Sequence, residues 1–111
     1  MPVALTKKLE AVVNDLGSQA RLARLLGVSP SRVSRWLKKG EDPGLENRRK
    51  VEGLEFVLTR LLSFMYPETA IKWLHGLNPF LSNFRPIDYL AQGRVTDVVA
   101  AVDATEAGSF A

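Results

Sequence analysis

Between Asp15 and Glu41 the chain carries no acid, yet Arg21, Arg24, Arg32, Arg35, Lys38 and Lys39 all fall there. Guanidinium and ammonium groups at that density suit a polyanion, and the phosphates of a nucleic acid are the obvious one. Ser29, Ser31 and Ser34 are interleaved with them. Their hydroxyls can serve either a base edge or a phosphate. The spacing sharpens the reading. Leu26-Gly27-Val28-Ser29 is too short a link for anything but a sharp turn between two helices. Gly27 suits the left-handed position that ends the first of them, and Ala23 is small enough to let the second cross closely. Leu22, Leu26, Val28, Val33 and Trp36 then fall on inward faces. Ser31, Arg32, Ser34, Arg35, Lys38 and Lys39 are left outside.

That is the plan of a helix-turn-helix, with a packed inner face and a cationic outer face for the major groove of double-stranded DNA. Arginine on the second helix can pair bidentately with guanine, while Arg21, Lys38 and Lys39 suit phosphates, which position without reading sequence. The candidate DNA-binding residues are therefore Arg21, Ser29, Ser31, Arg32, Ser34, Arg35, Lys38 and Lys39. A unit this small reads few base pairs, so a dimer on a palindromic operator is expected. On spacing alone, an αα-hairpin that binds nothing is the other reading.

Other chemistry is sparse. The 111 residues include no cysteine and one histidine, which excludes disulfides, thiolate metal sites and a cysteine nucleophile. His75 reads as a helix-end residue, and Asp88 and Asp97 sit in first helical turns, where they favour the helix dipole. No glycine-rich phosphate loop is present. The sequence argues for no enzyme, no catalytic residue, no cofactor and no metal.

The elements that must position these residues are all helical. Thr6 is read as the cap of a first helix ending at Leu16, Ser18 as the cap of QARLARLL, and Ser29-Pro30 as the start of a third helix stopped by Gly40. Gly40 to Gly44 (GEDPG) is turn chemistry, dividing a DNA-binding domain, 1–44, from a second domain, 45–111. A long helix from Leu45 to Met65 follows, with Leu54, Val57, Leu58, Leu61, Leu62 and Met65 in one apolar stripe. Short helices after Pro67 and Pro86 flank the loop LNPFLSNFRP, and Thr96 caps a valine-bearing helix to about Ala107. The fold class is all-α, with roughly seven helices. The stripe offers more apolar surface than so short a chain readily hides, so a two-fold homodimer is expected.

Residues 1–50 carry a charge of +6 and residues 51–111 one of −3, an asymmetry that suggests two partners. No apolar run approaches the ~20 residues of a membrane span, and no signal-peptide pattern opens the chain. A soluble, cytoplasmic protein without a membrane partner is expected.

Residues 18–40 resemble the Xre/Cro repressor class in the small residue, the turn glycine, Val33 and the Trp36 spacing. The second half runs Trp73-Leu74, Asn78-Pro79, Leu81, Arg85-Pro86-Ile87-Asp88-Tyr89-Leu90 and Gly93, and ends on Gly108-Ser109-Phe110-Ala111. Together these resemble the Xre/MbcA/ParS-type antitoxins, an N-terminal helix-turn-helix bundle followed by a small helical toxin-binding domain. One departure is Ser82-Asn83-Phe84, where the family often has glycines. The resemblance implies a cognate RES-domain toxin that consumes NAD or transfers ADP-ribose from it. It also implies steric blocking of that toxin, and autorepression of the operon through operator DNA. It makes Gly108, Ser109, Phe110 and Ala111 a plug for the toxin's cleft, supported by Val99, Val102 and Asp103. The residues alone leave open a stand-alone repressor whose second half only dimerises, and a helical adaptor with a degenerate helix-turn-helix.

Overall fold

In this computed structural model, which describes residues 3–109, the described residues form seven α-helices and a single 3-10 turn. They are α1 (Val3–Leu16), α2 (Gln19–Leu26), α3 (Pro30–Lys39), α4 (Leu45–Leu61), α5 (Pro67–His75), the turn (Pro79–Leu81), α6 (Pro86–Ala91) and α7 (Val95–Ser109). The all-α expectation holds, and most boundaries follow local chemistry. Ser18 accepts a hydrogen bond from the Arg21 amide at 3.1 Å and so caps α2. Pro30, Pro67 and Pro86 each open a helix, where their missing N–H costs nothing.

Three boundaries differ from the sequence reading. Thr6 lies inside α1, which begins at Val3. Helix α4 stops at Leu61 rather than Met65. Beyond it the Ser63 hydroxyl donates to the Arg60 carbonyl at 2.6 Å, and Tyr66, preceding a proline, is driven to extended backbone. At the other end, α7 starts one residue before Thr96 and runs on to Ser109.

Helix α4 is the hub. Its Val51, Leu54, Val57, Leu58 and Leu61 are fully buried. Helix α1 lies along it with Leu9, Val12 and Leu16, while α6 and α7 pack elsewhere on it with Ile87, Leu90, Val98, Ala101 and Val102. The stripe read as a dimer surface is therefore largely internal core. Only Leu62 and Met65, beyond the helix end, stay partly exposed. Full burial of each such side chain contributes about 1.5–3 kcal/mol, so satisfying the stripe within the chain outweighs leaving it for a partner.

The expected interdomain link is a stitched turn. Asp42 accepts the Gly44 amide at 2.8 Å and pairs with Arg48 at 2.7 Å, and the Gly44 amide holds its carboxyl below the usual carboxylate range, with help from Arg48. Pro43 is buried, and its carbonyl accepts from Asn47 at 3.1 Å. Because α1 packs on α4 across this turn, one buried cluster runs through both halves.

Two polar ties hold α7 down. Arg60 of α4 binds Asp103 at 2.7 Å and Glu106 at 3.0 Å. Trp73 of α5 donates to the Thr105 hydroxyl at 3.0 Å. Where α4 meets α6 and α7 there is no room for a side chain at Gly53. A Cβ there would lie 2.8 Å from Leu90 Cδ2 and 3.3 Å from Val95 Cγ2. Gly53→Val therefore destabilises the chain by about 2 kcal/mol or more despite removing a helical glycine, as overpacking a closed core does. Urea unfolding measures the loss; unchanged stability would mean that α6 and α7 yield freely.

Candidate nucleic-acid interface and C-terminal surface

The α2–α3 turn is closed by backbone alone. Gly27 is left-handed at φ 73° and its amide donates to the Arg24 carbonyl at 3.3 Å. The Val28 amide reaches back to the Ala23 carbonyl at 2.9 Å, which completes a Schellman cap. Ala23 is buried between the crossing helices, and Val28 packs against the core just past the cap. The inner face forms as read, with Leu22, Leu26, Val33 and Trp36 all buried.

On the outer face of α3, Ser31, Arg32, Lys38 and Lys39 are exposed, while Ser34 and Arg35 are half-exposed. The Ser29 and Ser31 hydroxyls hydrogen-bond each other at 3.1 Å, so Ser29 does not cap α3 with its side chain. Arg32 lies over the Trp36 ring, its Cζ 5.6 Å from the centroid, which holds the guanidinium along the helix. Arg35 donates through Nε to Glu41 Oε2 at 3.0 Å. Sequence reading missed this pair because Glu41 lies beyond the helix. It returns only because Gly40 turns left-handed, at φ 67°, and the Gly40 and Glu41 amides both bond the Arg35 carbonyl.

Arg21 is placed differently from its reading as a phosphate contact. Its Nη1 donates to the Leu16 carbonyl at 3.0 Å and its Nη2 pairs with Glu68 of α5 at 2.9 Å. Both ends of the guanidinium are engaged in joining α1, α2 and α5. The Glu68 carboxyl is held below its usual range, first by its own backbone amide and then by Arg21.

The C-terminal residues also divide. Val102 is fully buried, so it supports α7 from within and offers no contact surface. Asp103 is held by Arg60, which the two acids in turn keep firmly protonated. Val99 is half-exposed and lines a shallow apolar groove with Phe56, Val95 and Thr96. Gly108 and Ser109 are exposed but helical, with the Ser109 hydroxyl donating to the Thr105 carbonyl at 3.0 Å. Gly108 is thus part of the last turn of α7. Phe110 and Ala111 lie outside the described residues.

A feature the sequence reading left as an apolar loop is built firmly. Buried Asn78 accepts the Phe80 amide through its side chain at 2.9 Å, and its backbone bridges to Phe84 at 3.1 Å. Ser82 and Asn83 both adopt left-handed backbone, at φ 55° and 61°. Both lie in Ser82-Asn83-Phe84, the stretch read as departing from the resembled family's glycines, and glycine meets a left-handed requirement without strain. The loop holds Leu77, Phe80 and Phe84 outward, each more than half exposed. An Asn beside a Ser within this loop was the available sign, since asparagine tolerates left-handed backbone. Asp88 and Asp97 are paired within their own helical turns, to Arg85 at 2.8 Å and Arg94 at 2.8 Å. No cluster of three metal-holding residues occurs among the described residues.

No protein-family model matches the chain. It is 24% identical over 107 residues to the mycobacterial cidal antitoxin MbcA of Mycobacterium tuberculosis, a span covering 96% of this chain and 95% of that protein. The M. bovis protein of the same name gives the same figures, 24% identity over 107 residues. A chain of the crystal structure of the M. tuberculosis MbcT–MbcA toxin–antitoxin complex superposes with a TM-score of 0.71 over 100% of both chains, at 24% identity. The chain therefore shares that fold from end to end.

Two outcomes test this geometry. Arg21→Ala costs about 1 kcal/mol of stability, the net worth of a hydrogen bond plus a largely screened ion pair, as urea unfolding measures. His75 is held below the ordinary imidazole range by burial first and Arg85 next, with Asp88 opposing. Folding thus favours its neutral form, and on acidification the unfolded chain takes up the proton first. The stability this contributes is present above the ordinary imidazole value of about 6.5 and is lost as pH falls below it, and His75→Gln flattens that dependence in thermal melts.

Proposed function

We propose that the chain is the antitoxin of a type II toxin–antitoxin pair, binding its toxin through the second half and operator DNA through α2 and α3. The observation that carries this reading is the end-to-end correspondence with MbcA and with a chain crystallised in a toxin–antitoxin complex. The charge split supports it independently, since +6 on residues 1–50 and −3 on residues 51–111 suit different partners. The toxin is a RES-domain enzyme that consumes NAD or transfers ADP-ribose from it, as the sequence resemblance implies. Neutralisation is steric, and the chain itself performs no chemistry.

Within this reading the toxin surface is the exposed end of α7, Gly108 and Ser109 with Phe110 and Ala111 beyond, together with half-exposed Val99. Val102 and Asp103 act from behind, one in the core and one on Arg60. The DNA surface is Ser29, Ser31, Arg32, Ser34, Arg35, Lys38 and Lys39, with Arg21 bracing the helices behind it. The active species on DNA is a cytoplasmic homodimer, because a palindromic operator needs two half-site readers. Its pairing surface is not the α4 stripe, which is core.

Co-expression with the neighbouring open reading frame, pull-down and an NAD-consumption assay test the proposal. A stable complex with suppressed NAD loss is expected. Arg35→Ala costs about 1–3 kcal/mol of operator binding and spares inhibition, while deletion of residues 108–111 does the reverse. A neighbouring protein that forms no complex and consumes no NAD in the chain's absence overturns the antitoxin reading. Full inhibition by the truncated chain removes the C-terminal plug.

A further inference from the structure

We infer that Glu41 is a specificity-positioning residue: it grips Arg35 by Nε and aims the two Nη groups end-on at a guanine in the major groove. This rests on the proposed DNA-binding role of α3 and identifies which base it reads and how.

Glu41 and Asp42 are the first acids after Asp15, and they follow directly on the cationic helix. A free carboxylate there would repel phosphate and weaken binding to every sequence. Neither is free. Asp42 is absorbed by Arg48 and the Gly44 amide, within the turn. Glu41 is turned back onto the recognition helix by the left-handed Gly40 cap, whose two hydrogen bonds to the Arg35 carbonyl fix where its side chain starts. Backbone geometry, and not chance rotamers on a surface, brings carboxylate and guanidinium together.

The mode of contact matters as much as its existence. Arg85 shows the alternative, giving both Nε and Nη2 to Asp88 and so closing one side of its fork. Arg35 gives Glu41 only Nε, at 3.0 Å. A guanidinium can meet the O6 and N7 of guanine side-on, through Nε and one Nη, or end-on, through both Nη groups. Occupying Nε removes the first mode and leaves the second. It also biases a side chain whose rotamer entropy is among the largest toward the end-on orientation before DNA arrives. At 42% and 48% exposure the pair adds little to folding. Its consequence therefore lies in what Arg35 contacts.

A masking role would make the opposite forecast, because a mask lowers affinity for all sequences alike. Selection of bound duplexes from a randomised pool, with the full chain and its variants, separates the two. The unaltered chain selects guanine at one position of each half-site. Arg35→Ala and Glu41→Ala both lose that preference, by roughly tenfold over the other bases, at the same position. Glu41→Ala meanwhile binds non-specific duplex as well as before or better, since a negative charge is gone. Glu41→Gln, whose amide oxygen still accepts from Nε, keeps the preference. Retention of guanine by Glu41→Ala, or loss at a different position from Arg35→Ala, overturns the inference while leaving DNA binding intact. Absence of any sequence preference in the unaltered chain overturns the operator reading and this inference with it, since phosphate contacts alone still bind duplex.

Discussion

Burial of the α4 stripe governs the rest of the structure. Five apolar side chains, Val51, Leu54, Val57, Leu58 and Leu61, run down one helix with no access to water. A single neighbouring helix cannot cover so wide a stripe, so α1 approaches from the N-terminal half and α6 and α7 from the C-terminal half. At Gly53 the packing is close enough that Leu90 and Val95 occupy the volume a side chain would need. Each half thus completes the other's core. Helix α3 is oriented by α1 and α2, and α1 in turn is anchored on α4, a helix belonging to the half that carries the C-terminal surface.

Polar ties around that core have a division of labour. Arg21 and Arg60 are both bridging cations, one joining α1, α2 and α5 and the other joining α4 to α7. Each takes a residue that sequence reading would place on a binding surface, Arg21 itself and Asp103, and engages it in architecture. On α3 the opposite holds. Apart from the Arg35–Glu41 pair, no ion pair involves the cations of α3 among the described residues, so the face keeps its positive field. A cationic face loses field by satisfying its own charges; a scaffold gains.

How far the sequence was legible follows from the range of each signal. The α2–α3 turn was readable residue by residue, because Ser18, Ala23, Gly27, Pro30 and Gly40 act within a few positions of themselves. All-α character followed from three- and four-residue periodicity. The fate of the α4 stripe was not readable, since periodicity reveals an apolar face but not whether its cover comes from the same chain. Arg21 looked free for the same reason. Its partner Glu68 is 47 residues away, and nothing local announces it. Periodicity likewise did not separate the two valines of α7, Val99 half-exposed and Val102 fully buried one turn on.

The loop from Leu77 to Phe84 is where local preference and observed structure part most clearly. Two consecutive non-glycine residues, Ser82 and Asn83, hold left-handed backbone that costs L-residues roughly 1–2 kcal/mol each, less for asparagine. Such a conformation persists only where neighbours over-determine it. Here Asn78 does so, with its side chain on the Phe80 amide and its backbone carbonyl accepting from both Leu81 and Asn83. Leu81 is pulled into the core as the anchor, while Phe80 and Phe84 are turned out on either side of it. Their exposure is therefore set by the backbone. Apolar surface maintained against both solvent and backbone preference is the arrangement that local chemistry alone would not select.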